Sequence, residues 1–211
     1  MSDLYTVEFS NNSSTVSDFT VFQRDPDLMR SGADEFYALA WFAYPVEPGG
    51  VISFDFEQEY EFVWGVPGRM SQTSHFVAEI KPIPVSEIGK GVKLVNTTKM
   101  PVFEPMHVET KSDQFEIYVD NVHTHECAIG INTKILGNPP GSGPATFVTN
   151  ADDNITYQFT ANPTYWVTRD KYKPGQAINF EKLSEMQELD FSGTTKKRTV
   201  TVDAAGKLTV T

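Results

Sequence analysis

The sequence predicts an all-β protein with little helix: an antiparallel β-sandwich, formed by residues 1–211 as one unit or as two tightly packed lobes. Three observations carry that expectation. Tyr37 to Trp64 is the densest apolar and aromatic run, and its second arm alternates, with Ile52, Phe54, Phe56, Tyr60, Phe62 and Trp64 on one side and Asp55, Glu57, Glu59 and Glu61 on the other. A period of two belongs to a strand with one buried face and one wet face. Fifteen Phe and eight Tyr lean the composition toward strands. Finally, short alternating segments recur along the chain between clusters of Gly, Pro, Asn and Asp.

Taken in order, Leu4 to Phe9 and Asp18 to Gln23 read as strands of a first hairpin around the polar turn Ser10 to Ser14. Asp25-Pro26-Asp27 stops the sheet. Tyr37 to Tyr44 and Val51 to Trp64 then read as a central hairpin around Pro45 to Gly50. The four acidic residues on its wet face require Lys, Arg, Thr or open water beside them. Across 66–106, a possible lobe crossover, Pro82, Pro84, Gly89, Gly91, Pro101 and Pro105 leave room for short strands only, at His75 to Lys81 and Val92 to Asn96.

Gln114 to Asp120 and Glu126 to Ile135 alternate again, and Gly137 to Pro144 reads as an exposed loop. Ala145 to Thr149, Ile155 to Ala161, Thr164 to Thr168, Ala177 to Lys182 and Glu188 to Phe191 continue the pattern. Leu183, Met186 and Leu189, three apart, also fit a short helix over 181–189. Arg198 to Asp203 and Lys207 to Thr211 form a closing hairpin around Ala204-Ala205-Gly206. The core is expected from Phe9, Phe19, Val21, Leu39, Trp41, Ile52, Phe54, Phe56, Phe62, Ile129 and Ile131.

A formal charge of −11 disfavours nucleic acid and anionic membranes as partners. One cysteine, Cys127, allows no internal disulfide. Met1-Ser2-Asp3 leads directly into a strand without the pattern of a signal peptide, so the expectation is a cytoplasmic protein or one exported by a non-classical route.

Chemistry-bearing residues are sparse. His123, His125 and Cys127 alternate, and in an extended strand they project on one face about 6.5–7 Å apart, a spacing that suits shared Zn²⁺ or Cu²⁺ ligation. A third ligand would come from His75, His107 or the acidic row. A polar turn with a small core cysteine accounts for the same residues. Trp64 and Trp166, each beside a turn, are candidate platforms for sugar rings, although Trp at a strand end also serves as a core plug. No nucleophile elbow, phosphate loop or dinucleotide fingerprint occurs, so no catalytic residue and no cofactor is expected. The residues favour a binding protein over an enzyme, with a protein or glycan as its unknown partner.

Several motifs together resemble the RhiA-like proteins, also called rhizosphere-induced or rhizosphere-expressed proteins. They are Asn11-Asn12-Ser13-Ser14, Phe19 to Pro26, Leu39-Ala40-Trp41-Phe42, Pro48-Gly49 and Tyr60 to Trp64, followed by Ala128 to Ile131, Asn162 to Trp166 and Pro174-Gly175. The resemblance implies a bacterial-type intracellular protein associated with plant and microbe interactions. It brings no catalytic residues, and His123 and His125 are not part of its pattern.

Overall fold

The computed structural model describes residues 3–24, 36–97, 99–108, 114–122, 126–160 and 164–211. In chain order its strands are β1 (Leu4–Asn11), β2 (Ser17–Arg24), β3 (Phe36–Ala38), β4 (Phe42–Val46), β5 (Val51–Gly65), β6 (Ile83–Pro84), β7 (Gly91–Val95) and β8 (Val102–Pro105). They continue as β9 (Gln114–Asp120), β10 (Ala128–Ile135), β11 (Phe147–Asn150), β12 (Thr156–Thr160), β13 (Thr164–Thr168), β14 (Met186–Leu189), β15 (Lys197–Val202) and β16 (Leu208–Val210). A single helical turn, α1 (Val85–Ile88), follows β6. The expected all-β class with little helix is what the chain adopts.

An eight-stranded sheet, ordered β16-β15-β1-β5-β10-β11-β3 with β6 also on β5, is the common layer. Two four-stranded sheets, β14-β13-β2-β4 and β12-β9-β7-β8, complete the set among the described residues. Most pairs are antiparallel, but β1 runs parallel to β15 and β7 parallel to β9. β5 is the spine: Phe54 and Phe56 enter one core with Phe9, Phe19, Trp41 and Tyr165, while Phe62 and Trp64 enter another with Leu94, Ile117 and Phe159. Its neighbour β10 does the same, with Ile129 and Ile131 in the second core and Ile135 against the first. Between these stretches the register shifts: Thr133 faces Tyr60 and Ile135 faces Phe56, which marks a bulge in β5. Trp41 closes the first core, fully buried, edge-on to Phe54 and Phe56, with Nε1 donating to the Thr133 carbonyl at 2.8 Å. Emptying a site of that size would cost about 3–5 kcal/mol. Of the expected core residues only Ile52 is not fully enclosed, and it packs against the first core.

Neither expected N-terminal hairpin forms. β1 and β2 belong to different sheets, and so do β4 and β5: β2 pairs with β4 and β13, whereas β5 pairs with β1, β6 and β10. Both turns are arches that carry the chain from one layer to the facing one, and the apolar side chains of the two arms meet across the core. Alternation reports which way a side chain points, and it is identical for a neighbour and for a facing strand. Asn11, fully buried, ties the two arches together. Its Nδ2 donates to the Thr15 and Val46 carbonyls, both at 2.8 Å, and its Oδ1 accepts from the Ser13 amide at 3.0 Å and the Ser13 hydroxyl at 2.7 Å. The Gly49 amide, at a φ of 74° that a Cβ would strain, donates to the Asn11 carbonyl at 2.7 Å.

Further expectations also need correction. Gly137 to Pro144 is not simply an exposed loop, because its second half lies along β4: Gly143 donates to the Trp41 carbonyl and Ala43 to the Gly141 carbonyl. A Cβ at Gly143 would stand 2.5 Å from the Ala40 carbonyl oxygen, so the glycine is what permits the approach. Ala177 to Lys182 holds an isolated bridge at Ala177 and a 3₁₀ turn at Phe180–Lys182, and the proposed helix over 181–189 gives way to β14. His75 to Lys81 makes one bridge rather than a strand. The acidic row has the partners that repulsion demands: Thr6 donates to Asp55 at 2.6 Å and Lys134 to Glu59 at 2.7 Å. Glu61, by contrast, is buried at 8% exposure under β6. Among the described residues no helix is long and apolar enough to cross a membrane.

Candidate binding groove

β13 separates two aromatic neighbours by strand alternation. Tyr165 points into the first core at 4% exposure, and Trp166 lies on the opposite face, partly exposed. Across the ladder Leu189 faces Tyr165 and Glu188 faces Trp166. The indole Nε1 donates to the Thr164 hydroxyl at 3.1 Å, which fixes the ring plane.

Beside this indole lies an open groove of about 440 Å³, bordered by Met186, Glu188 and Asp190, and by Arg198 and Val210 from the edge of the large sheet. The Arg198 guanidinium donates to the Asp190 carbonyl, linking the two sheets. The Asp190 carboxylate accepts from the Ser192 amide at 2.8 Å and the Ser192 hydroxyl at 3.1 Å, and those bonds hold its pKa below the usual aspartate value. An aromatic face, an aliphatic floor, carboxylate acceptors and a guanidinium donor together suit a ligand with both an apolar face and hydroxyl groups.

Glu188 and Asp190 also border a second cavity, of about 160 Å³, lined by Gln58 of β5 and by Tyr165, Leu189 and Phe191. The Tyr165 hydroxyl is buried and has no hydrogen-bond partner. Burial raises its pKa well above the ordinary tyrosine value, and the Gln58 and Thr133 side chains beside it oppose that rise.

The other candidates fare differently. Trp64 is 1% exposed within the second core, so its ring faces are closed to a sugar. Although it is the penultimate residue of β5, the second core packs over it. His123 and His125 lie outside the described residues. Cys127 is buried at 4% exposure beside a cavity of about 170 Å³ lined also by Arg69, Glu126, Asp152 and Asp153. Burial first, then Asp153 and Glu79, pushes its thiol up to about 11, away from the thiolate that binds metal. Among the described residues no three His, Cys, Asp or Glu side chains converge as a metal site. His75 instead engages the Pro174 carbonyl at 2.8 Å.

Sequence reasoning reached Trp166 and missed the rest of the groove. The alternation Tyr165-Trp166-Val167 already sends Trp166 to the face opposite the core, but Arg198 and Val210 join it only through sheet packing.

The RhiA family model matches residues 2–211. Protein RhiA of Rhizobium leguminosarum bv. viciae is 24% identical over 194 residues, an alignment covering 89% of this chain and 77% of that protein. No solved structure matches the chain.

Proposed function

We propose that this chain, which belongs to the RhiA family, is a binding protein whose ligand is a carbohydrate held in the groove over Trp166. The observation that carries this reading is the partly exposed indole set beside Glu188, Asp190 and Arg198 in one cleft. Pyranose rings offer an apolar C–H face for stacking and a rim of hydroxyls for charged acceptors and donors. The acidic balance of the protein favours neutral sugars over anionic ones. The likeness to a rhizobial protein suits a role in an encounter between microbe and plant, where such ligands are plentiful.

The test is calorimetric titration with soluble β-1,4-linked glucose, xylose and N-acetylglucosamine oligosaccharides, whose equatorial linkages leave flat faces to stack. Trp166→Ala should weaken the favoured series about tenfold, the upper end of what an aromatic contact supplies. Absence of binding by every series, or undiminished binding by Trp166→Ala, overturns the assignment.

A further inference from the structure

Trp166 and Glu188 stand opposite each other on β13 and β14, which places both side chains on the outer face of the second sheet with Cβ atoms about 5 Å apart. Glu188 is exposed and makes no hydrogen bond or ion pair among the described residues. The other charges of the groove are engaged with one another. The Ser192 amide and hydroxyl first, then Arg198, hold the Asp190 carboxyl below its ordinary pKa, so it is ionised with a cation beside it. The Arg198 guanidinium is itself tied to the Asp190 carbonyl. One negative charge is therefore left without a counterpart, and it borders the same groove as the indole.

A carboxylate and an indole attract a cation for different reasons. The ring offers the negative face of its quadrupole and the carboxylate a full charge, so a cation held between them gains from both. A neutral hydroxyl can donate one hydrogen bond to Glu188 but draws little from the quadrupole. We infer that the groove selects an amino sugar, its ring stacked on Trp166 and its protonated primary amine reaching the Glu188 carboxylate. The inference rests on the carbohydrate reading above and adds to it the substituent that the groove recognises. Met186 and Val210 supply apolar wall beside the ring. The charge of −11 on the whole chain draws cations toward the protein without choosing where they dock, and Glu188 makes that choice.

The experiment is calorimetric titration of three β-1,4-linked trisaccharides that differ only at C2: glucose with a hydroxyl, N-acetylglucosamine with an amide and glucosamine with an amine. At low salt, and at a pH that protonates the amine, the aminated ligand should bind roughly tenfold more tightly than the other two. The advantage should shrink with added salt and vanish as rising pH strips the amine of its charge. Glu188→Gln should erase it, whereas Glu181→Gln, which removes the same charge from an exposed residue outside the groove, should keep it. Both replacements are isosteric at exposed positions, so melting temperatures equal to the wild type separate ligand loss from misfolding. Trilysine, which carries ammonium groups and no ring to stack, should bind at least about tenfold more weakly than the aminated trisaccharide. Equal affinity for the three sugars, an advantage that survives in Glu188→Gln or disappears in Glu181→Gln, or trilysine bound as tightly, overturns the amino-sugar assignment while leaving the Trp166 groove standing. No binding of any sugar removes both.

Discussion

Replacing Asn11 by Ala should be among the costliest single substitutions at a polar residue of this chain. The side chain is fully buried and joins the two arches, with Nδ2 on the Thr15 and Val46 carbonyls and Oδ1 on the Ser13 amide. Truncation leaves the Val46 carbonyl, whose residue is 2% exposed, and the part-buried Ser13 amide without these partners; Thr15 is exposed, so water replaces its bond. Each buried unpaired group costs about 1–3 kcal/mol, which sums to about 3–4 kcal/mol here. For a chain of this size that corresponds to a fall in Tm of roughly 10 °C. Urea unfolding, followed by tryptophan fluorescence with the denaturant slope held as a control, measures it directly. Asn11→Asp keeps the acceptor and turns the donor into an oxygen aimed at two carbonyls, so at neutral pH it should be no better than Ala. The backbone bonds of Asn11 to Gly49 and Gly50 survive both changes. A loss below 1 kcal/mol for Asn11→Ala, with an unchanged slope, would refute the clamp.

Glu61 supplies a pH-dependent case. Burial raises its pKa, partly offset by the 2.8 Å bond from Asn132, so the native state holds this proton to higher pH than the unfolded chain. Its contribution to stability is therefore full below the unfolded value of about 4.3 and is lost as pH rises through the folded pKa. Glu61→Gln keeps an acceptor for Asn132 and adds a donor for the unpaired Asn132 Oδ1, so it should stabilise by about 1 kcal/mol at pH 7, with the gain vanishing toward pH 4. A gain independent of pH in paired denaturation curves counts against this. Gly130→Ala should cost at least about 3 kcal/mol or prevent folding, because its Cβ would lie 1.8 Å from the Phe147 carbonyl oxygen on the adjacent strand. Gly137→Ala, which meets nothing but sits at a φ of 70°, should cost only about 1–2 kcal/mol; equal melting temperatures for the pair would contradict the steric account. Cys127 should react with a thiol reagent only as fast as the chain opens, being 4% exposed with its pKa pushed up to about 11; rapid stoichiometric labelling of the native protein would show otherwise.

How much of this was readable beforehand depends on what alternation encodes. It says which side chains turn inward, and Phe54, Phe56, Trp41 and Ile131 lie where the pattern sends them. It does not say which strand lies alongside, and so Tyr37 to Trp64 resembles a hairpin while β4 and β5 belong to facing sheets. The same ambiguity governs the tryptophans: Trp64 and Trp166 both adjoin turns, but only packing reveals that one is roofed by a whole sheet and the other lies near an edge strand. The inner cavity was hidden for a related reason. Gln58, Tyr165 and Phe191 are distant in sequence, and their meeting depends on the bulge in β5 and the docking of β14.

The parallel pairing of β1 with β15, fastened by the ion pairs Lys197–Glu8 at 2.9 Å and Lys196–Asp3 at 2.6 Å across 193 positions, makes the order of synthesis matter. β1 leaves the ribosome before β5, with which it pairs, yet its second edge has no neighbour until the β15–β16 hairpin emerges. At about 5–20 residues per second, that edge stays bare for roughly 10–40 s. Its row of unpaired amides and carbonyls then offers a template to any passing strand, including those of sister chains on the same message. The final hairpin thus serves as a latch, and a stalled or truncated chain ending before residue 197 should be captured by chaperones or aggregate although nearly all of its core residues are present.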